Sequence, residues 1–316
     1  MNRRIAIVLL VVAIPLLILV VARSRSARVP TARPVVVATI YPLAELAQRI
    51  GGDRVEVRTL VPAGTEAHDF EPGPQDVAAI GRARLFIYNG AGFDPWVERL
   101  LPMLPPTVGV VRATAGLPLI KASGEADAHG HRTHGHPTAV GLPDPHAWLD
   151  PLLAAQMLEV ILIAFVATDP AGAEAYQQAA TVARGELAGL HARFIQGLAR
   201  CEQRLVVSTH TAFAYLARRY GLEQIGLAGL APEAEPTPAA LARLARTLRA
   251  RGVRVVFVER LASPRAAETL AREIGARTMM LHPVEGLTPE EIAAGANYVT
   301  IMDENLRVLR EGLGCR

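Results

Sequence analysis

The longest helical pattern in the chain is residues 170–200, PAGAEAYQQAATVARGELAGLHARFIQGLAR. Large apolar side chains recur there at the spacing of one helix face, at Tyr176, Leu187, Leu190, Phe194 and Leu198. A helix of this length, rising about 1.5 Å per residue, is long enough to cross a whole domain. The pattern therefore predicts one rigid connecting helix within residues 169–201, with a separate folded half on either side of it.

Both halves alternate short β-branched runs with amphipathic segments, which is the pattern of parallel α/β units. The predicted strands are residues 35–39, 55–61, 85–88 and 108–111, then 205–208, 253–258 and 278–281. The predicted helices are residues 41–50 and 75–82, then 212–220, 238–251, 264–274 and 289–309. We therefore expect an α/β fold with two lobes, residues 34–168 and 202–316, whose parallel sheets are joined by the long rigid helix.

The composition excludes several classes of protein. The 316 residues are 51% hydrophobic and 20% charged, which excludes an intrinsically disordered chain. The formal net charge of +3 is small and the basic residues are scattered, so nucleic acid is not expected as a partner. No Gly-x-Gly-x-x-Gly or Gly-x-Ser-x-Gly motif is present, which excludes Rossmann-type dinucleotide enzymes and α/β-hydrolases.

The N-terminus has the pattern of a targeting or anchoring segment. Arg3 and Arg4 precede the uncharged apolar run 5–22, which is longer than a usual signal-peptide core and just long enough to span a membrane. No clear small-x-small cleavage site follows it, which favours an uncleaved anchor over a cleaved signal and leaves both open. Residues 1–33 are therefore predicted to be a signal or anchor segment with a linker.

Three histidines follow predicted strands. His68 lies in the loop after the strand 55–61, His210 comes two residues after the strand 205–208, and His282 comes directly after the strand 278–281. Because ligands of open parallel sheets bind beyond the carboxyl ends of the strands, we expect these side chains at one cleft. His146 precedes the helix that opens near Pro151 and could face the same cleft. Imidazole nitrogens suit a borderline-soft divalent cation, and four of them complete a tetrahedron. The sequence thus predicts a metal site made of His68, His146, His210 and His282.

Three segments resemble the signature segments of the metal-binding, cluster A-I solute-binding proteins of ABC transporters. They are residues 62–72 (PAGTEAHDFEP), 144–151 (DPHAWLDP) and 209–216 (THTAFAYL). The resemblance extends over residues 35–309 and is greatest to the zinc-specific branch. It implies two pseudo-symmetric lobes and a periplasmic or otherwise extracytoplasmic receptor, tethered to the cytoplasmic membrane if residues 5–22 remain. Such a receptor is a monomer and not an enzyme, and it delivers a metal ion to the transmembrane permease.

The same resemblance assigns the ligands. His68, His146 and His210 match the family's first three ligands, whereas the fourth is normally an aspartate in an Asp-Pro segment. Here His282 precedes Pro283 instead, so either His282 ligates the metal or water takes the fourth place. Glu259 matches a family glutamate near the cleft, as a ligand or as a group that supports one.

Nitrogen ligands at positions 210 and 282 favour Zn²⁺ as the transported ion, with a Mn²⁺ or iron receptor of the same fold as the alternative. A metal-dependent adhesin is a further alternative. A zinc hydrolase is disfavoured, because no His-Glu-x-x-His motif is present and four histidines would leave no open coordination position.

Residues 127–136 form a predicted loop that is rich in histidine. The loop carries His129, His131, His134 and His136 among glycines and resembles a shortened form of the histidine-rich loop of zinc-specific members. It is interpreted either as a weak ion-capturing segment or as a solvated low-complexity loop.

The two cysteines, Cys201 and Cys315, allow at most one disulfide. An extracytoplasmic location would permit that disulfide, and two free thiols are the alternative.

Overall fold

The structure is a computed structural model that describes residues 33–121, 141–230 and 236–316. The described residues from Pro34 to Arg316 belong to one compact unit. The apolar segment 5–22 and the histidine-rich loop 127–136 lie outside the described residues, so both interpretations of each stay predictions.

Each half contains a four-stranded, fully parallel sheet. The first sheet, in the order β2-β1-β3-β4, consists of Val35–Ala38 (β1), Glu56–Thr59 (β2), Leu85–Tyr88 (β3) and Gly109–Arg112 (β4). The second, in the order β6-β5-β7-β8, consists of Leu205–Ser208 (β5), Glu223–Gly226 (β6), Val255–Val258 (β7) and Arg277–Met280 (β8). The two sheets repeat one strand order, and they confirm the predicted α/β class with parallel sheets.

Ten α-helices accompany the strands within the described residues. In the first half they are Tyr41–Gly51 (α1), Pro74–Arg82 (α2), Trp96–Leu100 (α3) and Pro151–Thr168 (α4). The connecting helix is Ala173–Gly197 (α5). In the second half they are Ala214–Arg219 (α6), Pro238–Ala250 (α7), Arg265–Ile274 (α8), Pro289–Ala293 (α9) and Tyr298–Leu313 (α10). Short 3-10 turns lie at Gly52–Arg54, Leu101–Met103, Ala147–Leu149 and Pro170–Gly172.

The connecting helix α5 has 25 residues, fewer than the helical pattern 170–200, because the 3-10 turn Pro170–Gly172 precedes it and the helix ends at Gly197. Its apolar stripe is buried as expected, at Tyr176, Leu187, Leu190 and Phe194. It packs along α4, which is apolar on nearly all sides and contributes eight buried residues. Among the described residues α4 is long and apolar enough to span a membrane by length and composition, but here it lies against α5 and α1.

The predicted single helix over residues 289–309 is wrong, since the structure divides it into α9 and α10. Gly295 adopts a left-handed φ of 71°, and the Asn297 side chain caps α10 by accepting two backbone amide hydrogens. The sequence also does not predict β6, because the segment EQIG contains a single large apolar side chain, Ile225.

One hydrophobic core extends through both halves and includes side chains of α1, α4, α5 and α10. Polar contacts tie the halves together beside it. The Trp148 indole donates to the Pro283 carbonyl (2.8 Å), and the Tyr298 hydroxyl donates to the Trp148 carbonyl (2.5 Å). The first-half signature segment 144–151 is therefore held, through Trp148, against the loop that follows β8 and against α10.

Cys201 and Cys315 form a disulfide in the structure. The two residues are 114 positions apart, with Cα atoms 3.8 Å from each other. They also pair as an antiparallel backbone bridge, which places the chain end beside the segment that follows α5. The bridge thus closes the whole second half into one covalent loop.

Candidate metal centre

Three histidines and one glutamate converge in the interior: His68, His146, His210 and Glu285. One potential ligand atom from each lies within 4.8 Å of those of all the others. His68 comes from the loop after β2 and His210 follows β5, whereas Glu285 lies in the loop after β8. His146 directly precedes the 3-10 turn Ala147–Leu149. The carboxyl ends of the strands therefore supply three of the four groups, as parallel sheets favour.

The spacing of the four groups suits a tetrahedral ion. The Glu285 Oε1 atom lies 3.5, 3.3 and 3.4 Å from the Nε2 atoms of His68, His146 and His210, in that order. The Nε2 atoms of His68 and His146 are 3.3 Å apart. A tetrahedron with metal–ligand bonds of about 2.0–2.1 Å has edges of about 3.3–3.4 Å. These four separations thus match the edges of a tetrahedral Zn²⁺ site.

Two of these atoms have unsatisfied bonding capacity. Within the described residues, Glu285 Oε1 and His210 Nε2 are buried and have no hydrogen-bond partner. Buried polar atoms in native proteins are normally satisfied, so such a pair facing one point needs an explanation. A cation at that point satisfies both, because a carboxylate oxygen and an imidazole nitrogen are metal ligands.

Two further carboxylates hold the imidazole rings. Asp144 Oδ1 lies 2.8 Å from His146 Nδ1 and also accepts the His146 backbone N–H. Glu259 Oε2 lies 2.6 Å from His210 Nδ1, and Glu259 also accepts from the Thr209 hydroxyl. Both carboxylates are buried. They orient each ring with Nε2 toward the centre, which is the usual arrangement of carboxylates behind metal-binding histidines.

These carboxylates also set the protonation of the site. Burial opposes the charged form of His146, but Asp144 and Glu285 outweigh it and raise its pKa above the usual value. In the same way burial is outweighed by Glu259 and Glu285 at His210, whose pKa lies well above its usual range. For Glu285 burial favours the neutral acid, yet the three histidines hold its pKa well below the ordinary value. The glutamate is therefore anionic and ready to ligate.

His68 is the most accessible of the four groups, with 9% of its side chain exposed. Its ring packs on Phe93 at 4.4 Å between centroids, and Trp148 packs on His146 at 5.2 Å. These aromatic rings exclude water from the first-half side of the centre. Of the four groups, His68 therefore lies nearest to solvent.

The structure does not bring His282 into this group, contrary to the expected four-histidine site. The His282 Nδ1 atom accepts the backbone N–H of Val284 (2.8 Å), and its Nε2 atom lies 3.5 Å from Glu291 Oε2. Glu285, three residues later, takes the fourth place. The physical reason is the turn at Val284, which directs the side chain at 285 inward. Glu259 contacts His210 behind its ring, as one of its two expected roles requires.

Glu285 was not predicted from the sequence. Ligands of parallel sheets bind beyond the carboxyl ends of the strands, and the first polar residue after the predicted strand 278–281 is His282. The only signal for Glu285 was its setting: a carboxylate between Pro283 and Gly286, in a loop rich in turn-forming residues. That signal is weak, because it does not show which of His282 and Glu285 points inward.

Comparison with known proteins identifies the family. Residues 36–312 match the family described as "Zinc-uptake complex component A periplasmic". The chain belongs to this family. The resemblance to zinc-specific solute-binding proteins is thereby confirmed, and the family is one of transport components rather than enzymes.

Individual members of the zinc-uptake family agree with this assignment. The chain is 37% identical over 279 residues to the high-affinity zinc uptake system protein ZnuA of Bacillus subtilis, covering 88% of this chain and 87% of that protein. It is 35% identical over 278 residues to the zinc-binding lipoprotein AdcA of Streptococcus pneumoniae, covering 87% of this chain. The chain spans 55% of AdcA, or about half its length.

A crystal structure of the Zn(II)-bound ZnuA-like domain of Streptococcus pneumoniae AdcA superposes with a TM-score of 0.76 at 34% identity. The superposition covers 89% of this chain and 99% of that domain. The two lobes of the present fold thus correspond to one whole domain of the pneumococcal protein.

Proposed function

We propose that the chain captures Zn²⁺ as cargo through His68, His146, His210 and Glu285 and delivers it to an ABC permease. The observation that carries this proposal is the convergence of three Nε2 atoms on one buried carboxylate oxygen at 3.3–3.5 Å. Three nitrogens and a single anionic oxygen favour zinc over the harder Mn²⁺, which prefers sites richer in carboxylates.

The comparisons support capture for uptake. ZnuA of Bacillus subtilis is named a component of a zinc uptake system, and AdcA of Streptococcus pneumoniae a zinc-binding lipoprotein. We infer that this chain likewise acts outside the cytoplasm, as a monomer that meets the membrane permease. The Cys201–Cys315 disulfide supports that location, since disulfides persist in oxidising compartments.

The geometry favours binding over catalysis. Catalytic zinc sites keep one coordination position open for water or substrate. Here four protein side chains each direct one potential ligand atom at the same place, which is the full ligand set of a tetrahedral ion and leaves it no free position. Such a closed set of ligands is expected of a receptor, which holds the ion and later releases it, rather than of an enzyme.

A competition titration tests the proposal. Metal-free protein is mixed with a chromogenic chelator and titrated with Zn²⁺, then with Zn²⁺ in the presence of excess Mn²⁺. We expect one tightly held zinc ion per chain that manganese displaces poorly. A His191→Ala variant is the matched control, because the His191 ring contacts Tyr220 and lies outside the group. Absence of saturable zinc binding, or a preference for manganese, would contradict the proposal.

Zinc affinity is expected to decrease as the pH falls, beginning above pH 6.5. The metal binds neutral imidazole, and the carboxylates hold the pKa values of His146 and His210 above the ordinary value, so protons compete already near neutrality. Glu285 stays ionised because its pKa is lowered. With two protons displaced, the affinity changes up to about 100-fold per pH unit.

Chelator competition between pH 5.5 and 8, corrected for protonation of the chelator, measures this dependence. The His191→Ala control should follow the wild-type profile. An apparent dissociation constant that stays level down to about pH 6.5, the ordinary histidine pKa, would contradict the expectation.

A further inference from the structure

The loop that carries Glu285 contains an unfavourable backbone conformation. Val284 has φ of 62°, in the left-handed region that β-branched residues rarely adopt. Its side chain is completely buried in the core. Such a conformation persists only where surrounding contacts determine it. The contacts that hold Val284 therefore decide where the next side chain, Glu285, points.

The His282 side chain supplies one of those contacts. Its Nδ1 atom accepts the Val284 backbone N–H at 2.8 Å, which closes a turn over residues 282–284. A hydrogen bond from a side chain to the amide two residues later is the geometry by which asparagine and aspartate stabilise turns. His282 thus acts as a turn-forming residue directly before the strained position.

The backbone of His282 is itself fixed by α10. The Asn305 Oδ1 atom accepts the His282 N–H (2.8 Å), and the Asn305 Nδ2 atom donates to the His282 carbonyl (2.7 Å). Asn305 is buried, so this two-point contact is shielded from water. The start of the turn is therefore anchored to a rigid helix of the second half.

Beyond the turn, the loop is held by backbone contacts with the first half. The Glu285 carbonyl accepts the Tyr41 N–H (3.3 Å), and the Leu287 carbonyl accepts the Gly64 N–H (2.8 Å). These contacts do not involve the side chain at 282. They set the path of the loop but leave the turn at Val284 to the His282–Val284 bond.

We propose that His282 is a positioning residue for Glu285. Its Nδ1 atom holds the left-handed turn at Val284, and that turn directs the Glu285 carboxylate at the three histidines. The inference rests on the proposed zinc function, because it assigns His282 to the support of that site. It also accounts for a histidine at the strand end that lies outside the group of four.

Substitutions at 282 separate this role from ligation. In His282→Asn the amide oxygen can occupy the place of Nδ1 and accept the same N–H, whereas His282→Leu keeps the bulk and removes the acceptor. We expect zinc affinity to fall about 10–100-fold in His282→Leu, as for loss of a group that orients a ligand, and to stay within about threefold in His282→Asn. Equal losses in both variants would overturn the proposal.

A double-mutant cycle with Glu285→Ala tests whether His282 acts through Glu285. Once the carboxylate is absent, His282→Leu has nothing left to position, so it should change zinc affinity by less than about threefold in that background. The visible spectrum of bound Co²⁺ should change alike in His282→Leu and Glu285→Ala. A full, additive loss in the cycle would show that His282 contributes to the site independently and would overturn the proposal.

Hydrogen exchange in the metal-free full chain gives a readout that needs no zinc. The Val284 amide should exchange at least about tenfold faster in His282→Leu than in wild type. In His282→Asn its exchange rate should equal that of wild type. Equal Val284 exchange in wild type and His282→Leu overturns the positioning role even if zinc binds. Failure of wild type to bind zinc overturns the proposed function, while exchange still tests the turn. His282→Ala replaces the leucine variant should that variant not fold.

Discussion

Replacing Glu285 by alanine is expected to weaken zinc binding by more than about 100-fold, beyond the 10–100-fold loss typical of groups that only orient a ligand. The change removes the one anionic ligand, to which all three Nε2 atoms lie within 3.5 Å. It also leaves His146 and His210 without the buried carboxylate that they share. Chelator competition measures the loss, and the Co²⁺ visible spectrum reports the altered coordination.

A matched control for this experiment is Glu290→Ala, which removes an exposed glutamate from the nearby helix α9. It should bind zinc as wild type does. His210→Ala should lose affinity to a similar extent as Glu285→Ala, since both residues belong to the same group. Wild-type affinity in Glu285→Ala, together with loss in His210→Ala, would point to a three-histidine site in which water takes the fourth position.

Removing the disulfide should destabilise the protein strongly. In the chain-entropy account, closing a loop of 114 residues restricts the unfolded chain by roughly 4–5 kcal/mol. For Cys201→Ala/Cys315→Ala we expect the free energy of unfolding to decrease by about 2–5 kcal/mol, because measured effects often fall below that value. Urea unfolding of the metal-free protein measures the difference.

Wild-type protein unfolded in the presence of a reductant is the control, and its midpoint should match that of the double variant. Denatured, unreduced wild type should show no reactive thiol. Two reactive thiols, or unchanged midpoints in the double variant, would contradict the expected stabilisation. Zinc stoichiometry should remain one ion per chain, because neither cysteine belongs to the metal group.

Local patterns determined most of the secondary structure. Strands β3 and β5 have the predicted bounds, because their runs of large apolar residues are buried on both faces. The predicted helix over 289–309 failed where local signals compete: its apolar spacing continues, but Gly295 and Asn297 terminate one helix and begin another. Strand β6 carries almost no apolar pattern because, among the described strands, it lies at the edge of its sheet and pairs with β5 alone.

Residue patterns along the chain were enough to predict the α/β architecture and three of the four converging groups. His68 and His210 lie at strand ends, and parallel strands bring their carboxyl ends to one edge whatever the details of packing. His146 lies in a short motif whose Asp144 is only two residues away, so its support is local as well.

The fourth group and the role of the carboxylate behind His210 depend instead on contacts between distant parts of the chain. Whether His282 or Glu285 points inward depends on the path of the loop after β8. Asn305 of α10 holds the backbone of His282 at the start of that loop, and Val284 is buried in the core at a φ of 62°. Glu259 reaches His210 across 49 positions of the chain. A side chain's direction after a strand is set by such distant contacts, because a loop backbone has no periodicity of its own to impose it.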